Sequence, residues 1–358
     1  MYAACDMRLW IDAREACRER RTGKGQWTLR AVGALLARSD VYATIVTDAP
    51  IPPGWNGMPG LAAVKVLEKR GLGWHLAVAK LLKKERDSID AYLSPTSFVV
   101  PFLVGRSVPV VPVVHDLIAF KNEPHDRKAT LIERFTLPRA LRTALAVCCV
   151  SEATAALVHA KFRGVTRTFV AGAGPTVGER DAWTGTGDFI LSIGTLCPRK
   201  NQKRLIQAYA SLRPLAKLVL VGGRGWDDDE IVRLAAETPG VEWKGFQSTE
   251  ACAELLRTCR AFAWVSEEEG FGLPVLDALR VGAPVLASDI PTNREVAGDA
   301  VTYCDPLDVV SISNGITAVL ERGDFFRAAG LARADVFSWE KVAAQLVERI
   351  AGSVDIPR

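Results

Sequence analysis

Ten short apolar runs, five on either side of a glycine-containing stretch, govern what this chain can fold into. "RLWIDA", "VYATIVT", "AYLSP", "VPVVPVVHDL" and "ALAVCCVSEA" come first, and "DFILSIGTL", "AKLVLVGG", "VEWKGF", "AFAWVSE" and "APVLASD" follow. Helical patterns such as Gln202–Leu212 and Thr249–Arg257 lie between them. Runs this apolar suit strands covered on both faces, and their alternation with helices argues for parallel, doubly wound α/β sheets. A chain of 358 residues exceeds one ordinary core, so each half is expected to build its own sheet. The stretch "AGAGPTVGERDAWTGTGD" (Ala171 to Asp188) has the composition of a linker. The expected division is therefore 1–175, 176–335 and a closing segment 336–358. Within that segment "FSWEKVAAQLVERI" reads as an amphipathic helix capped by Ser338, crossing back to the first domain.

No apolar run approaches the roughly 18 residues needed to span a bilayer. The start, "MYAACDMRLWIDAREA", has early acids and no long apolar core, so it is not read as a secretory signal. Because "MRLWIDA" already reads as a strand, Met7 is as good a start as Met1. Eight cysteines contain no Cys-x-x-Cys pair, and four histidines show no zinc spacing. A reduced, cytoplasmic protein is expected. Charge is uneven: residues 1–184 hold 26 Lys and Arg against 17 Asp and Glu, a balance of +9, whereas 185–358 hold 19 against 24, a balance of −5. A basic first half, with "KLLKKER" at Lys80–Arg86, suits an anionic partner or a solvated surface equally well.

Doubly wound sheets bind ligands beyond the carboxyl ends of their strands. Four such ends carry chemistry. In "EEEGFGLPVLDAL" (Glu267 to Leu279), Pro274 opens a helix that Gly282 and Pro284 close. Gly270 and Gly272 permit close approach of a ligand, and the N–H groups of Gly272, Leu273 and Val275 favour an anion. Glu269 and Asp277 would reach different ends of that ligand, although a solvated strand–turn–helix accounts for the same residues. In "ILSIGTLCPRKNQKRLIQAYASL", Arg199 and Lys200 precede a helix that Asn201 is expected to cap. Two cations there oppose the helix dipole unless an anion neutralises them, and a diphosphate would fit. In "VVPVVHDLIAF", His115 and Asp116 follow an apolar strand, as a polar contact, an acid–base pair or a capped turn. Gly23 and Gly25, in "RTGKGQWTLRAVGAL", read as a flexible loop before the first helix. "GWDDDEIVRLAAE" resembles a metal site, but Asp227 as N-cap with Glu230 three residues on reads better as a capping box.

Together these blocks resemble the family-4 retaining glycosyltransferases, from about Met7 to Gly352. "FAWVSEEEGFGLPVLDALRVGAPVLASDIPTNREVAGDAVTYCDP" and "LSIGTLCPRKNQKRLIQAYA" carry most of the likeness, and "VVHDL", "CCVSEAT" and "FSWEKVA" also fit. The resemblance implies the GT-B fold: two Rossmann-like doubly wound domains facing across a cleft, acceptor side first and nucleotide sugar second. It places Glu269 beside the donor sugar and Asp277 on the nucleotide ribose, where the family usually has Glu. Arg199 and Lys200 become a diphosphate clamp, and the backbone of Phe271, Gly272 and Leu273 meets sugar and phosphates. His115 lies near the reacting sugar, and Gly23 and Gly25 form the N-terminal glycine loop, with Gln26 in place of a frequent Arg.

The implied activity is metal-independent hexosyl transfer with retention, mannose from GDP-mannose being the first expectation and a UDP-hexose the second. No cofactor or metal is expected beyond the donor. Base recognition is expected around Gly222–Arg224 and Gly245–Ser248. The acceptor would be a saccharide or lipid-linked saccharide in polysaccharide, O-antigen or glycolipid assembly. No nucleic acid is expected, and peripheral contact with an anionic inner membrane face is. A GT-B-fold epimerase and a non-catalytic partner subunit are the alternative classes.

Overall fold

The computed structural model describes residues 6–121, 127–178, 180–212 and 216–354. Met1, the alternative start, lies outside the described residues. The chain forms two compact units, Met1–Gly174 with Ser338–Arg358, and Pro175–Phe337.

In the first unit, strands β1 (Met7–Asp12), β2 (Val41–Thr47), β3 (Leu61–Val66), β4 (Ala91–Ser94), β5 (Val110–Val114), β6 (Val147–Cys149) and β7 (Thr168–Val170) form one sheet in the order β3-β2-β1-β4-β5-β6-β7. Every pairing is parallel; Leu9 on β1 stands between Ala43 on β2 and Ala91 on β4. Helices α1 (Gly23–Leu36), α2 (Gly71–Lys84), α3 (Val99–Val104), α4 (Arg127–Thr143) and α5 (Glu152–Lys161) make the crossovers. The strands β4, β5 and β6 are buried throughout, because parallel strands are covered on both faces. On α1 the buried Trp27, Ala31, Val32 and Leu35 repeat at helical spacing. Trp27, Trp74 and Tyr92 are among the largest fully buried side chains, each contributing on the order of 2 kcal/mol through burial.

The second unit holds β8 (Phe189–Ile193), β9 (Lys217–Val221), β10 (Val241–Trp243), β11 (Ala261–Trp264), β12 (Val285–Ser288) and β13 (Thr302–Cys304) in the order β10-β9-β8-β11-β12-β13, again all parallel. Its helices are α6 (Gln202–Ala210), α7 (Asp229–Glu237), α8 (Thr249–Thr258), α9 (Leu273–Val281), α10 (Pro291–Ala297), α11 (Val309–Arg322) and α12 (Arg327–Ala334). Ile190, Leu218, Leu220, Ala263, Leu286 and Ile316 lie at the centre of its core. The last helix, α13 (Trp339–Val354), packs on α1 of the first unit. Ser338 Oγ accepts from Lys341 N–H at its start, and the Trp339 ring meets Trp27 edge-on at 6.3 Å.

The glycine-containing stretch is less loose than its composition suggests. Asp181 N–H donates to Arg280 O, Trp183 N–H to Val281 O, Thr184 N–H to Arg257 O and Gly187 N–H to Thr258 O. The half-buried indole N–H of Trp183 adds a bond to Cys259 O at 2.7 Å. Polar groups that lack a ladder of their own are here satisfied by the backbone of the second unit.

Candidate functional site

Strands β8 and β11 are neighbours, with Leu191 opposite Phe262. The loops that leave their carboxyl ends therefore run side by side, and Glu267 N–H donates to Arg199 O at 2.9 Å to join them. A short turn, Pro198–Lys200, then presents two cations to one carboxylate. Lys200 Nζ lies 2.6 Å from Glu269 Oε1, and Arg199 Nη1 lies 3.3 Å from Glu269 Oε2. Arg199 Nη1 also donates to Glu268 O at 2.6 Å. The Lys200 ammonium sits 4.3 Å from the centroid of the Trp264 ring, a cation–π arrangement. These side chains are only 15% (Arg199), 13% (Lys200) and 8% (Glu269) exposed. The anion that meets the two cations here is thus the protein's own Glu269, and the trio retains one net positive charge.

Burial alone would push the Glu269 carboxyl up, but the charges of Lys200 and Arg199 hold it below its ordinary value. Burial pulls the Lys200 ammonium below its ordinary value, with Glu269 opposing and Arg199 adding to the effect. Asn201 occupies the position before α6 at φ 59°, but its side chain does not cap the helix. Its amide donates instead to Val265 O at 2.9 Å and Pro306 O at 2.7 Å, tying down the end of β11. That corrects the expected cap: the left-handed backbone turns the side chain away from the helix start.

The β11 loop enters α9 through Gly272, at φ 93°. A side chain there would be strained and would press on Asn293 Oδ1 at 3.3 Å. Gly272 and Leu273 open the helix, but Val275 N–H donates to Gly272 O at 3.0 Å. Val275 is therefore not one of the open donors that the sequence led us to expect. Phe271 is buried, its ring edge-on to Phe337, so the backbone rather than the ring is what this residue offers a ligand. Thr292 Oγ1 donates to Glu269 O at 2.9 Å, and Asn293 Nδ2 to Ser288 O at 3.0 Å. Both support the turn from beneath.

Asp277 lies within α9 and is buried. Its carboxylate accepts from Thr176 N–H and Thr176 Oγ1, both at 2.5 Å, and from Val177 N–H at 3.3 Å. In this structure it holds the entry segment of the second unit. Behind the site, Gly222 (φ 149°) lets β9 pass so close to β8 that an added Cβ would stand 2.0 Å from Gly194 O. Gly222 N–H donates to Gly245 O at 2.8 Å and Trp243 Nε1 to Gly222 O at 2.9 Å, which joins the two loops expected to read the base.

The capping box at "GWDDDE" does not form. Asp227 is itself left-handed at φ 49°, and Asp228 takes the position before α7. The Asp228 carboxylate turns back to the Arg224 guanidinium at 2.7 Å and Gly225 N–H at 3.0 Å, while Glu230 pairs with Lys203 at 2.8 Å. Among the described residues, no group of three or more His, Cys, Asp or Glu is placed to hold a metal ion.

In the first unit His115 follows β5. One ring nitrogen, Nε2, is 2.8 Å from Pro95 O; a carbonyl only accepts, so Nε2 carries the proton. Trp27 meets the imidazole edge-on at 5.4 Å. Burial, then the nearby Lys24 charge, lowers this histidine to about 4, against the raising effects of Asp116 and the Pro95 carbonyl. Asp116 pairs with Lys24 at 3.2 Å. Gly23 and Gly25 are not a flexible loop: they form the first turn of α1, with Thr22 Oγ1 accepting from Gly25 N–H. A Cβ on Gly25 would stand 2.9 Å from Glu15 O, whereas Gly23 faces open space. Helical hydrogen bonding and this close packing outweigh the flexibility of the two glycines.

Residues 179–330 match the family model described as glycosyl transferases group 1. The second unit carries a glycosyltransferase group 1 domain. Within this stretch lie Arg199, Lys200, Glu269, the Gly272 turn and Asp277. O-antigen chain mannosyltransferase B of Escherichia coli is 39% identical over 177 residues, 46% of this chain and 45% of that protein. The serotype-specific mannosyltransferase WbdA of Escherichia coli is 33% identical over 181 residues, 47% of this chain and 22% of that protein. The matched stretch spans less than half the length of either relative. Among solved structures, sucrose-phosphate synthase from Thermosynechococcus elongatus superimposes with a TM-score of 0.76 at 17% identity, covering 96% of this chain and 98% of that one. Anabaena Alr3699/HepE, solved with UDP and glucose, gives 0.74 at 19% identity, covering 96% and 99%. At these identities the likeness speaks to fold, and the fold is GT-B.

The group 1 domain has site-forming residues that spacing alone did not single out: Trp264 beneath Lys200, Asn201 as a loop tie, and Thr292 and Asn293 under the turn. In the first unit Trp27 supports His115 and donates from Nε1 to Gly172 O at 2.8 Å. Each acts through tertiary contacts, which no local pattern announces. The tryptophan at the end of an apolar strand, one turn before three acids, was the nearest thing to a signal.

Proposed function

We propose that the chain is a retaining, metal-independent glycosyltransferase that moves mannose from GDP-mannose to a hydroxyl of a saccharide or lipid-linked saccharide. The observation that carries this reading is the buried Lys200–Glu269–Arg199 trio, set at adjacent strand ends of a group 1 domain beside the open start of α9. The reaction breaks the bond between the anomeric carbon and the diphosphate oxygen, and charge builds on the departing diphosphate. Arg199, Lys200 and the N–H groups of Gly272 and Leu273 stabilise that charge in a partly dehydrated setting. Glu269 keeps both cations in place and accepts hydrogen bonds from hydroxyls of the sugar. The acceptor hydroxyl attacks the same face through an oxocarbenium-like state, and a leaving phosphate oxygen takes its proton. His115, neutral at physiological pH, serves as a polar contact to substrate rather than as the base. The mannosyl preference draws on the relatives named above, which are mannosyltransferases by name.

Calorimetric titration without added metal tests the reading, using GDP-mannose, UDP-glucose and the free nucleotides. Selective micromolar binding of GDP-mannose is expected. Selective binding of UDP-glucose would move the donor to the UDP-hexoses, and binding of neither would sink the transferase assignment.

A further inference from the structure

In the first unit β5, β6 and β7 run parallel, and His115 follows the carboxyl end of β5. Ligands of such sheets meet the carboxyl ends of the strands. The opposite, amino ends of the same three strands close a separate cavity of about 270 Å³. Val108 and Pro109 reach it just before β5, Leu145 just before β6, and Thr166 and Arg167 just before β7. At roughly 3.3 Å per residue, β5 sets about 20 Å between Pro109 and His115. The cavity is thus no part of the site described above.

Three arginines line it: Arg106 from the turn Gly105–Ser107, Arg142 from the end of α4, and Arg167. No carboxylate lines it. Among the described residues, none of the three arginines pairs with a carboxylate elsewhere. Arg142 donates from Nε to Pro138 O at 3.0 Å, which leaves its Nη groups for another acceptor. Other exposed arginines of this chain do meet carboxylates: Arg8 meets Asp90, Arg180 meets Asp335 and Arg294 meets Asp289. Like charges around one hollow repel, and solvent screening reduces that cost without removing it. A cation in the last turn of α4 suits the helix dipole, which accounts for Arg142 without a ligand. It does not account for Arg167, which belongs to no helix and lines the same hollow.

The rest of the lining is mixed. Val108, Leu145 and Val165 give an apolar wall, and Thr143 and Thr166 add hydroxyls. The volume falls just below the roughly 300–1,000 Å³ of drug-sized ligand pockets, so it suits a small molecule. Guanidinium groups recognise phosphate through paired N–H donors.

We propose that this cavity binds a small soluble phosphorylated compound. Arg106, Arg142 and Arg167 surround its phosphate, and its carbon skeleton rests on Val108, Leu145 and Val165. A phospholipid headgroup carries the same phosphate, but its acyl chains need an apolar way out. The exposed residues of the lining are Arg106, Arg142, Gly164, Thr166 and Arg167, none with an apolar side chain. The assignment rests on neither the donor nor the acceptor proposed above.

The experiment is amide hydrogen exchange of the full chain, read by mass spectrometry. Inorganic pyrophosphate is one probe and a short-chain phosphatidic acid the other. Pyrophosphate should slow exchange in segments 141–147 and 162–168. It should also slow exchange near Pro198–Lys200; absence of that second effect bears on the diphosphate clamp alone. In R106Q/R167Q the concentration that gives half of the first effect should rise more than about tenfold, since two charged donors are lost. The second effect should stay. R163Q removes a neighbouring exposed charge that does not line the cavity, and should behave like wild type. Thermal melts confirm that all variants fold. No slowing at 141–147 and 162–168 in the wild-type chain overturns the proposal. So does an equal loss in R163Q, which would reduce the effect to overall surface charge. A response to phosphatidic acid at lower concentration than to pyrophosphate would assign the cavity to a lipid headgroup, and also overturns it.

Discussion

Lys200 Nζ and Glu269 Oε1 stand 2.6 Å apart, on loops that leave two adjacent strands. Neither charge is tolerable alone at this depth, because an unpaired buried ion costs several kcal/mol. The pair therefore keeps each partner ionised and fixes both side chains at the carboxyl ends of β8 and β11.

A double-mutant cycle over Lys200→Met and Glu269→Gln should return a coupling of about 1–3 kcal/mol in unfolding free energy. Lys200→Ala should also lower turnover of the proposed reaction by about 100-fold or more, with a smaller effect on donor affinity. Full activity in that variant would remove the diphosphate role from Lys200.

Asp277 takes three hydrogen bonds from Thr176 and Val177, two of them at 2.5 Å. Asp277→Ala should therefore destabilise the protein by about 2–4 kcal/mol, as bonds to a buried carboxylate are lost. Amide hydrogen exchange would show where: Thr176 and Val177 should exchange faster while the β8–β11 strands stay protected. Uniform acceleration across the second unit would mean that Asp277 supports the core rather than this segment.

His115 and His75 are both lowered to about 4, chiefly by burial. The unfolded chain takes up protons at these sites near pH 6.5, and the folded chain only near 4. Stability therefore falls as pH drops from about 6.5 towards 4, and this contribution is complete above that window. NMR titration of the ring protons should place both histidines near 4. In H75N/H115N the pH slope of unfolding free energy between 4 and 6.5 should flatten; an unchanged slope would assign it to other groups.

Trp27 joins three parts of the first unit: His115, Trp339 and Gly172 O. Trp27→Phe keeps most of the packing and loses one hydrogen bond, a cost of about 1 kcal/mol. Trp27→Ala should cost about 3–5 kcal/mol and loosen α13. Limited proteolysis near Ser338 offers a direct comparison of the two variants.

The strands were legible wherever burial on both faces left an unbroken apolar run, as at "VPVVPVVHDL" and "AFAWVSE". Three escaped that reading. β3 is a largely exposed edge, and β7 and β13 are three-residue strands at the other edge of each sheet with one buried residue apiece, so none of them carries an unbroken buried run. Arg199, Lys200 and Glu269 could be picked out because charge beside an apolar run is conspicuous. That they meet one another depends on β8 lying next to β11, which is a matter of strand order and not of sequence distance. The caps failed for a related reason. Asn201 and Asp227 have the right chemistry, but left-handed backbone and better tertiary partners took their side chains elsewhere.

The chain leaves its first unit at Gly174 and rejoins it at Ser338. During synthesis the whole second unit is made before the helix that covers α1. Trp27 then waits for Trp339, made some three hundred residues later. A released chain truncated just before Ser338 should hold a finished second unit and an unfinished first one, with α1 as the natural place for a chaperone to bind.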